Sequence, residues 1–144
     1  MHDTPRFASD IMSKDVVTLE ESETLEFVEE SMRTLRFRHM PVMDRGRLVG
    51  LISHRDVLRV SASSLLSNGE QQTHYLAKKF FVRDVMTRQV ATVNRDTPLL
   101  EVATRLRKGK LGCLPVVDAE NTLVGIITEA DFVDLCMRLL STSH

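Results

Sequence analysis

Apolar positions fall into two nearly superimposable series along this chain, offset by about 74 residues. In the first, Leu25, Val28, Met32 and Leu35 recur at spacings of three and four, with Glu26, Glu29, Glu30 and Arg33 between them. That is the pattern of an amphipathic helix. Two short apolar runs follow, 39–43 and 48–52, joined by Asp44, Arg45, Gly46 and Arg47. In the second series Leu99, Val102, Ala103 and Leu106 form the helical stripe, with Thr97 and Pro98 as predicted N-cap and first-turn proline. Gly109 lies where that helix should end. The matching strands are 113–117 and 123–127, joined by Asp118, Ala119, Glu120, Asn121 and Thr122. Both joints carry residues that tolerate the left-handed backbone of a tight hairpin. The strand runs are continuously apolar, which predicts cover on both faces. A further helix starts at Ser53 or Thr128, and in the second series it runs through Phe132, Val133, Leu135, Cys136 and Leu139. Ahead of each series stand a lead-in, Ile11-Met12 or Val85-Met86, and a brief strand, 16–19 or 90–93.

Repetition of this order fixes architecture before any other reading. Two equivalent halves imply two equivalent faces, and function is expected where the halves meet. The segment 61–81 between them mixes small polar and apolar residues, so it either extends a helix or forms a mobile connection.

The strongest chemical signal is G-h-h-[ST]-x-x-D, present as Gly50 to Ser53 with Asp56, and as Gly125 to Thr128 with Asp131. A hydroxyl at a helix start with a carboxylate three residues on is a capping box, which needs no ligand. The alternative is that this helix start faces a ligand. A carboxylate there can accept both hydroxyls of a ribose, as acidic residues do in dinucleotide folds. The glycine would let another backbone or a ring approach closely. Near the end of the first stripe, Arg33, Arg36, Arg38 and His39 form a basic run. Basic residues at a helix C-terminus complement the macrodipole and usually sit in water; Arg38 and His39 equally suit a phosphate.

Bulk composition narrows the classes. The 144 residues suffice for one compact unit with a real core. A net charge of −1 with 27% charged residues argues against a nucleic-acid binder held by phosphate neutralisation. No stretch approaches the ~20 apolar residues of a membrane span, and the first residues lack the apolar run of a secretory signal. Cys113 and Cys136 fit reduced, buried thiols, so a cytoplasmic protein is expected. His2, His39, His54, His74 and His144 are scattered without metal-ligand spacing. His54-Arg55-Asp56 imitates a kinase catalytic loop, but Ser61 stands where its Asn belongs and no Gly-rich loop accompanies it. No nucleophile with a base and orienting acid is evident, so no enzyme is expected. Met12, Met32, Met40, Met43, Met86 and Met137 read as core filler.

Taken as an ordered set, D-x-M (Asp10 with Met12, Asp84 with Met86), the strand ending in Thr18 or Thr92, h-P-V-h-D (Pro41 to Asp44, Pro115 to Asp118) and G-h-h-[ST]-x-x-D resemble a tandem pair of CBS domains, a Bateman module. The resemblance covers repeat 1 over 8–60 and repeat 2 over 82–140, with 61–81 as a partly helical linker. It implies an α/β (α+β) fold of two β-α-β-β-α units related by a pseudo-twofold axis, and a homodimer. It also implies an adenosine-containing ligand in clefts between the repeats: AMP, ADP or ATP first, with S-adenosylmethionine or NAD as further candidates and no cofactor required. One cleft would combine Thr128 and Asp131 with Val17, Thr18, Arg38, His39, Met40 and Pro41. There Asp131 would hold the ribose, Thr128 would sit near the ribose or α-phosphate, Met40 would frame the adenine, and Arg38 and His39 would meet phosphate. The second, weaker site would combine Ser53 and Asp56 with Ala91, Thr92, Gly112, Cys113, Leu114 and Pro115, with only Lys110 nearby for a phosphate.

The expected function is therefore a regulatory sensor that acts through a partner or its own oligomer. Its chief alternative is a structural or interaction module that binds no nucleotide, the Ser/Thr–Asp pairs serving only as caps.

Overall fold

The computed structural model describes residues 4–60 and 80–141. Residues 61–79 of the predicted connection lie outside the described residues, as do His2, His74 and His144. In chain order the elements are α1 (Ala8–Ile11), β1 (Leu19–Glu20), α2 (Leu25–Leu35), β2 (His39–Asp44), β3 (Arg47–Ser53), α3 (residues 54–60), α4 (Val82–Val85), α5 (Leu99–Lys108), β4 (Cys113–Val117), β5 (Leu123–Thr128) and α6 (Glu129–Ser141). Instead of one unit, the chain forms two compact bodies, Val17–Val90 and Met1–Val16 with Ala91–His144. These bodies do not follow the repeats. Each lead-in belongs to the body built by the other repeat.

In the body Val17–Val90, β1 runs parallel to β2 and β2 antiparallel to β3, with Leu19 beside Val42 and Met40 opposite Ile52. Arg45 (φ 51°) and Gly46 (φ 81°) are both left-handed, as a two-residue hairpin turn of the primed type demands. Helix α2 starts where the Thr24 hydroxyl oxygen accepts the Phe27 N–H. It stops at left-handed Arg36, whose N–H returns to the Met32 carbonyl. Leu25, Val28 and Met32 are buried as the stripe predicts; Leu35, at the exit turn, is exposed. They pack with Leu19, Met40, Val42, Ile52 and Val57, and with Val82 and Met86 of the second lead-in. That lead-in is fixed by backbone bonds from Val82 to Glu23 (2.8 Å) and Arg83 to Glu21 (3.1 Å), and by a reciprocal pair between Thr87 and Leu51.

The other body repeats the plan. Strands β4 and β5 pair with Leu114 opposite Ile127, and Val93 forms a parallel bridge to Val116. The predicted strands 16–19 and 90–93 thus shrink to β1 and this bridge. Val17 and Thr18 are exposed, so the first run offers few apolar side chains to hold it against a neighbour. The core joins Val93, Val102, Leu106, Leu114, Val116 and Ile127 with Ala8 of the first lead-in. Ala8 and Ser9 donate to the carbonyls of Thr97 and Arg95, mirroring the other lead-in. Pro98, not Thr97, is the N-cap of α5. The Thr97 hydroxyl is buried and taken up by Asn94, accepting its backbone N–H (3.0 Å) and donating to its side chain (3.2 Å). A hydroxyl committed to a turn is unavailable to cap.

Other expectations shift in detail. All of β4 is buried, but β3 and β5 alternate between buried and half-buried positions, so cover on both faces is complete only for β4. Met32, Met40 and Met86 are core residues, whereas Met137 is exposed. Helix α6 buries no residue: Val133 (58% exposed), Met137 (63%) and Leu140 (65%) form an open apolar stripe. Cys113 is a buried thiol and Cys136 an exposed one. No helix among the described residues is long and apolar enough to cross a membrane.

Candidate functional site

The repeated G-h-h-[ST]-x-x-D places a carboxylate in the first turn of α3 and of α6, at the end of a strand in each case. In the first copy, Ser53 N–H donates to Asp56 Oδ2 (2.8 Å), Ser53 O–H donates to the same oxygen (2.9 Å), and Asp56 N–H donates back to Ser53 Oγ (3.1 Å). This capping box is closed on itself. Arg59, largely exposed, stands 3.6 Å from Asp56 Oδ1, a surface pair of small energetic weight.

The second copy is wired differently. Thr128 N–H donates to Asp131 Oδ2 (2.8 Å), but the Thr128 hydroxyl does not join Asp131. The other carboxylate oxygen, Oδ1, accepts the Ser13 hydroxyl at 3.1 Å. Ser13 is held by a reciprocal backbone pair with Ile126, at 2.9 and 3.0 Å.

The two motif glycines serve these lead-ins. A Cβ on Gly125 would meet the Met12 sulfur at 2.6 Å and the Ser13 carbonyl at 3.1 Å, and one on Gly50 would meet the Met86 sulfur. The close approach expected of a ring or backbone is therefore made by a methionine and, at Gly125, also by the lead-in backbone. Asp10 and Asp84 cap the short helices α1 and α4: Asp10 accepts the N–H groups of Arg6 and Phe7, and Asp84 that of Phe81. Those backbone donors hold the Asp10 carboxyl below its ordinary range. The D-x-M motif is thus a docking clip.

The first predicted set has Val17, Thr18, Arg38, His39, Met40 and Pro41 in the body Val17–Val90, and Thr128 and Asp131 in the other. The second has Ser53 and Asp56 in the former, and Ala91, Thr92, Gly112, Cys113, Leu114 and Pro115 in the latter. Inside each body, members of different sets are neighbours. His39 faces Ser53 across β2 and β3, and the Arg38 carbonyl accepts the His54 N–H at 2.7 Å. Cys113 faces Thr128 across β4 and β5. Arg38, His39, Ser53 and Asp56 are thereby gathered at one end of their sheet. Burial holds the His39 imidazole below its ordinary range; Asp56 opposes that shift, and Arg38 and Arg55 add to it. Burial pushes the Cys113 thiol up to about 12. The side chains of Met40 and Leu114 are fully buried in their cores, so what these residues offer a ligand is backbone.

Two residues escaped sequence reading. Ser13 was legible in principle, since Ser13 and Thr87 repeat a hydroxyl after each lead-in methionine. Arg105 donates to the Thr92 carbonyl at 2.8 Å; Ser31 stands at its place in the first repeat, so repetition gives no hint of it.

The CBS-domain family model matches residues 8–63 and 82–138. This chain belongs to the CBS domain family. Its fold is shared with the crystal structure of the protein AcuB from Vibrio cholerae, 35% identical with a TM-score of 0.78, over 94% of this chain and 93% of that one. CBSX2 in complex with AMP is 25% identical with a TM-score of 0.79, over 94% and 98% of the two chains. The CBS domain pair of protein MJ0100, in complex with 5′-methylthioadenosine and S-adenosyl-L-methionine, is 29% identical with a TM-score of 0.74, over 92% and 98%. The chain spans 90% of a CBS domain-containing protein of Dictyostelium discoideum at 28% identity, but less than half of some other curated relatives.

Proposed function

We propose that this CBS pair is a regulatory module whose ligand is an adenosine-containing small molecule, with AMP, ADP or ATP ahead of S-adenosylmethionine and NAD. Structural relatives with AMP, and with 5′-methylthioadenosine and S-adenosyl-L-methionine, support the ligand class. The observation that carries the reading is Asp131: a half-buried carboxylate at the start of α6 whose two oxygens each take one protein donor. Each oxygen keeps a lone pair for a ribose hydroxyl. In this proposal Asp131 grips the ribose, Thr128 lies beside it, and Arg38 and His39 meet the phosphate. Val17, Thr18 and the backbone of Met40 and Pro41 frame the base. The Asp56 set, with Ser53, Ala91, Thr92, Gly112, Cys113, Leu114 and Pro115, is the weaker site.

The module acts through a regulated partner or its own homodimer, for which the exposed Val133 and Met137 of α6 are the candidate contact. Free thiols at Cys113 and Cys136 suit a reducing cytoplasm. One observation favours a second reading for the first repeat: Asp56 takes both of its hydrogen bonds from Ser53 and has Arg59 beside its other oxygen, all within one helical turn, which suits a purely structural cap.

Thermal melting with AMP, ADP, ATP, S-adenosylmethionine and NAD tests the proposal. A ligand at about 100 times its Kd should add on the order of 2.7 kcal/mol of stability. The gain should vanish in Asp131→Ala. No shift with any of the five would leave the interaction-module reading in its place.

A further inference from the structure

The two helix-start carboxylates differ in where their donors come from. Both bonds to Asp56 land on Oδ2, and both come from Ser53. The bonds to Asp131 are split between its oxygens and come from two distant segments, Thr128 N–H to Oδ2 and Ser13 O–H to Oδ1. Two bonds on one oxygen fill its lone pairs and leave Oδ1 to the exposed Arg59, 3.6 Å away. One bond on each oxygen fixes the plane and leaves one acceptor site per oxygen. A vicinal diol presents two O–H donors side by side, so the second arrangement matches it and the first does not.

Ser13 is well placed to hold that geometry. Its backbone is tied to Ile126 in both directions, and Met12 beside it is seated on Gly125. Its counterpart Thr87 makes the same backbone pair, with Leu51, but its side chain makes no bond to Asp56. The hydroxyl-to-carboxylate link is therefore a property of one repeat and not of the fold.

We propose that Ser13 is a positioning residue for Asp131, fixing the carboxylate so that it grips both ribose hydroxyls and favours ribose over deoxyribose. This inference rests on the reading of Asp131 as the sugar-binding group. It also makes the first lead-in part of the second repeat's ligand site.

Titration calorimetry with AMP and 2′-deoxy-AMP on the full chain tests it, using wild type, Ser13→Ala, Ser13→Thr and Asp131→Ala. Ser13→Ala should weaken AMP about three- to tenfold, the worth of one net hydrogen bond. It should weaken 2′-deoxy-AMP less, so that the ribose preference falls, and Ser13→Thr should restore it. Loss of affinity for both nucleotides by the same factor would mark a merely structural role and overturn the proposal. So would unchanged AMP affinity in Ser13→Ala alongside lost affinity in Asp131→Ala, which would leave the site reading standing. Normal AMP binding by Asp131→Ala, or none by wild type, would remove the site reading and this inference together.

Discussion

The same seven-residue phrase gives two different carboxylates. Asp56 is the end of a local loop of bonds: donor, acceptor and helix start all lie within four residues. Asp131 joins its own helix start to a segment 118 positions away in sequence. A side chain held only by its neighbours stabilises a helix end, whereas one held from two segments can also report when either moves. The two carboxylates thus differ in the origin of their partners, which residue type and spacing do not encode.

Four comparisons between the repeats can break or sharpen this view. The largest effect is in the cores, where the copies should behave alike. Ile52 and Ile127 occupy equivalent, fully buried places, so Ile52→Ala and Ile127→Ala should each lower stability by about 2–5 kcal/mol in denaturant melts. A several-fold disparity would mean that the two bodies are not energetic equals.

Next come the glycines. Gly50→Ala and Gly125→Ala should each cost about 1–3 kcal/mol by overpacking. Combined with Met86→Ala, the Gly50 change should cost less than the sum of the two, because the nearest atoms a Cβ would meet all belong to that side chain. Met12→Ala should relieve Gly125→Ala less, since the Ser13 carbonyl remains in contact. Equal relief in double-mutant cycles would dismiss the backbone contact as the obstacle.

Third, Asp131→Ala should reduce AMP affinity at least tenfold in calorimetry. Asp56→Ala should leave it within about threefold while lowering ligand-free stability by roughly 0.5–2 kcal/mol, the worth of a cap. Equal losses of affinity would erase the ranking of the two sites.

The smallest effect is in pH. His39 and Cys113 hold the same place before the strand proline, and both are shifted by burial, in opposite senses for stability. The folded His39 binds its proton less readily than the unfolded chain. Stability is therefore full above about pH 6.5 and falls as pH drops from there through the depressed value. The Cys113 thiol, raised from an ordinary 9.0 to about 12, keeps its proton when folded. Its contribution is full below 9.0 and is lost as pH climbs towards about 12. Denaturant midpoints across pH should lose the fall that begins near pH 6.5 in His39→Gln and the fall that begins near 9.0 in Cys113→Val, each without touching the other.

Much of this fold was legible. Spacings of three and four located α2 and α5, and the Asp-, Asn- and Gly-bearing joints located both hairpins, because these signals are local and each is written twice. Thr97 misled because its hydroxyl has a competing partner in Asn94, which spacing does not reveal. Met137 and Cys136 misled because a helical stripe says which residues share a face but not whether anything covers it. The family resemblance identified Asp131 as a candidate; its tie to Ser13 stayed hidden because lead-in and motif are joined through space.

That crossed arrangement has a genetic corollary. A coding fragment for the first repeat alone would specify the N-terminal clip that seats on the missing half, and would lack Val82 and Met86 that finish its own interior. Divided between the repeats, neither half would carry its whole interior.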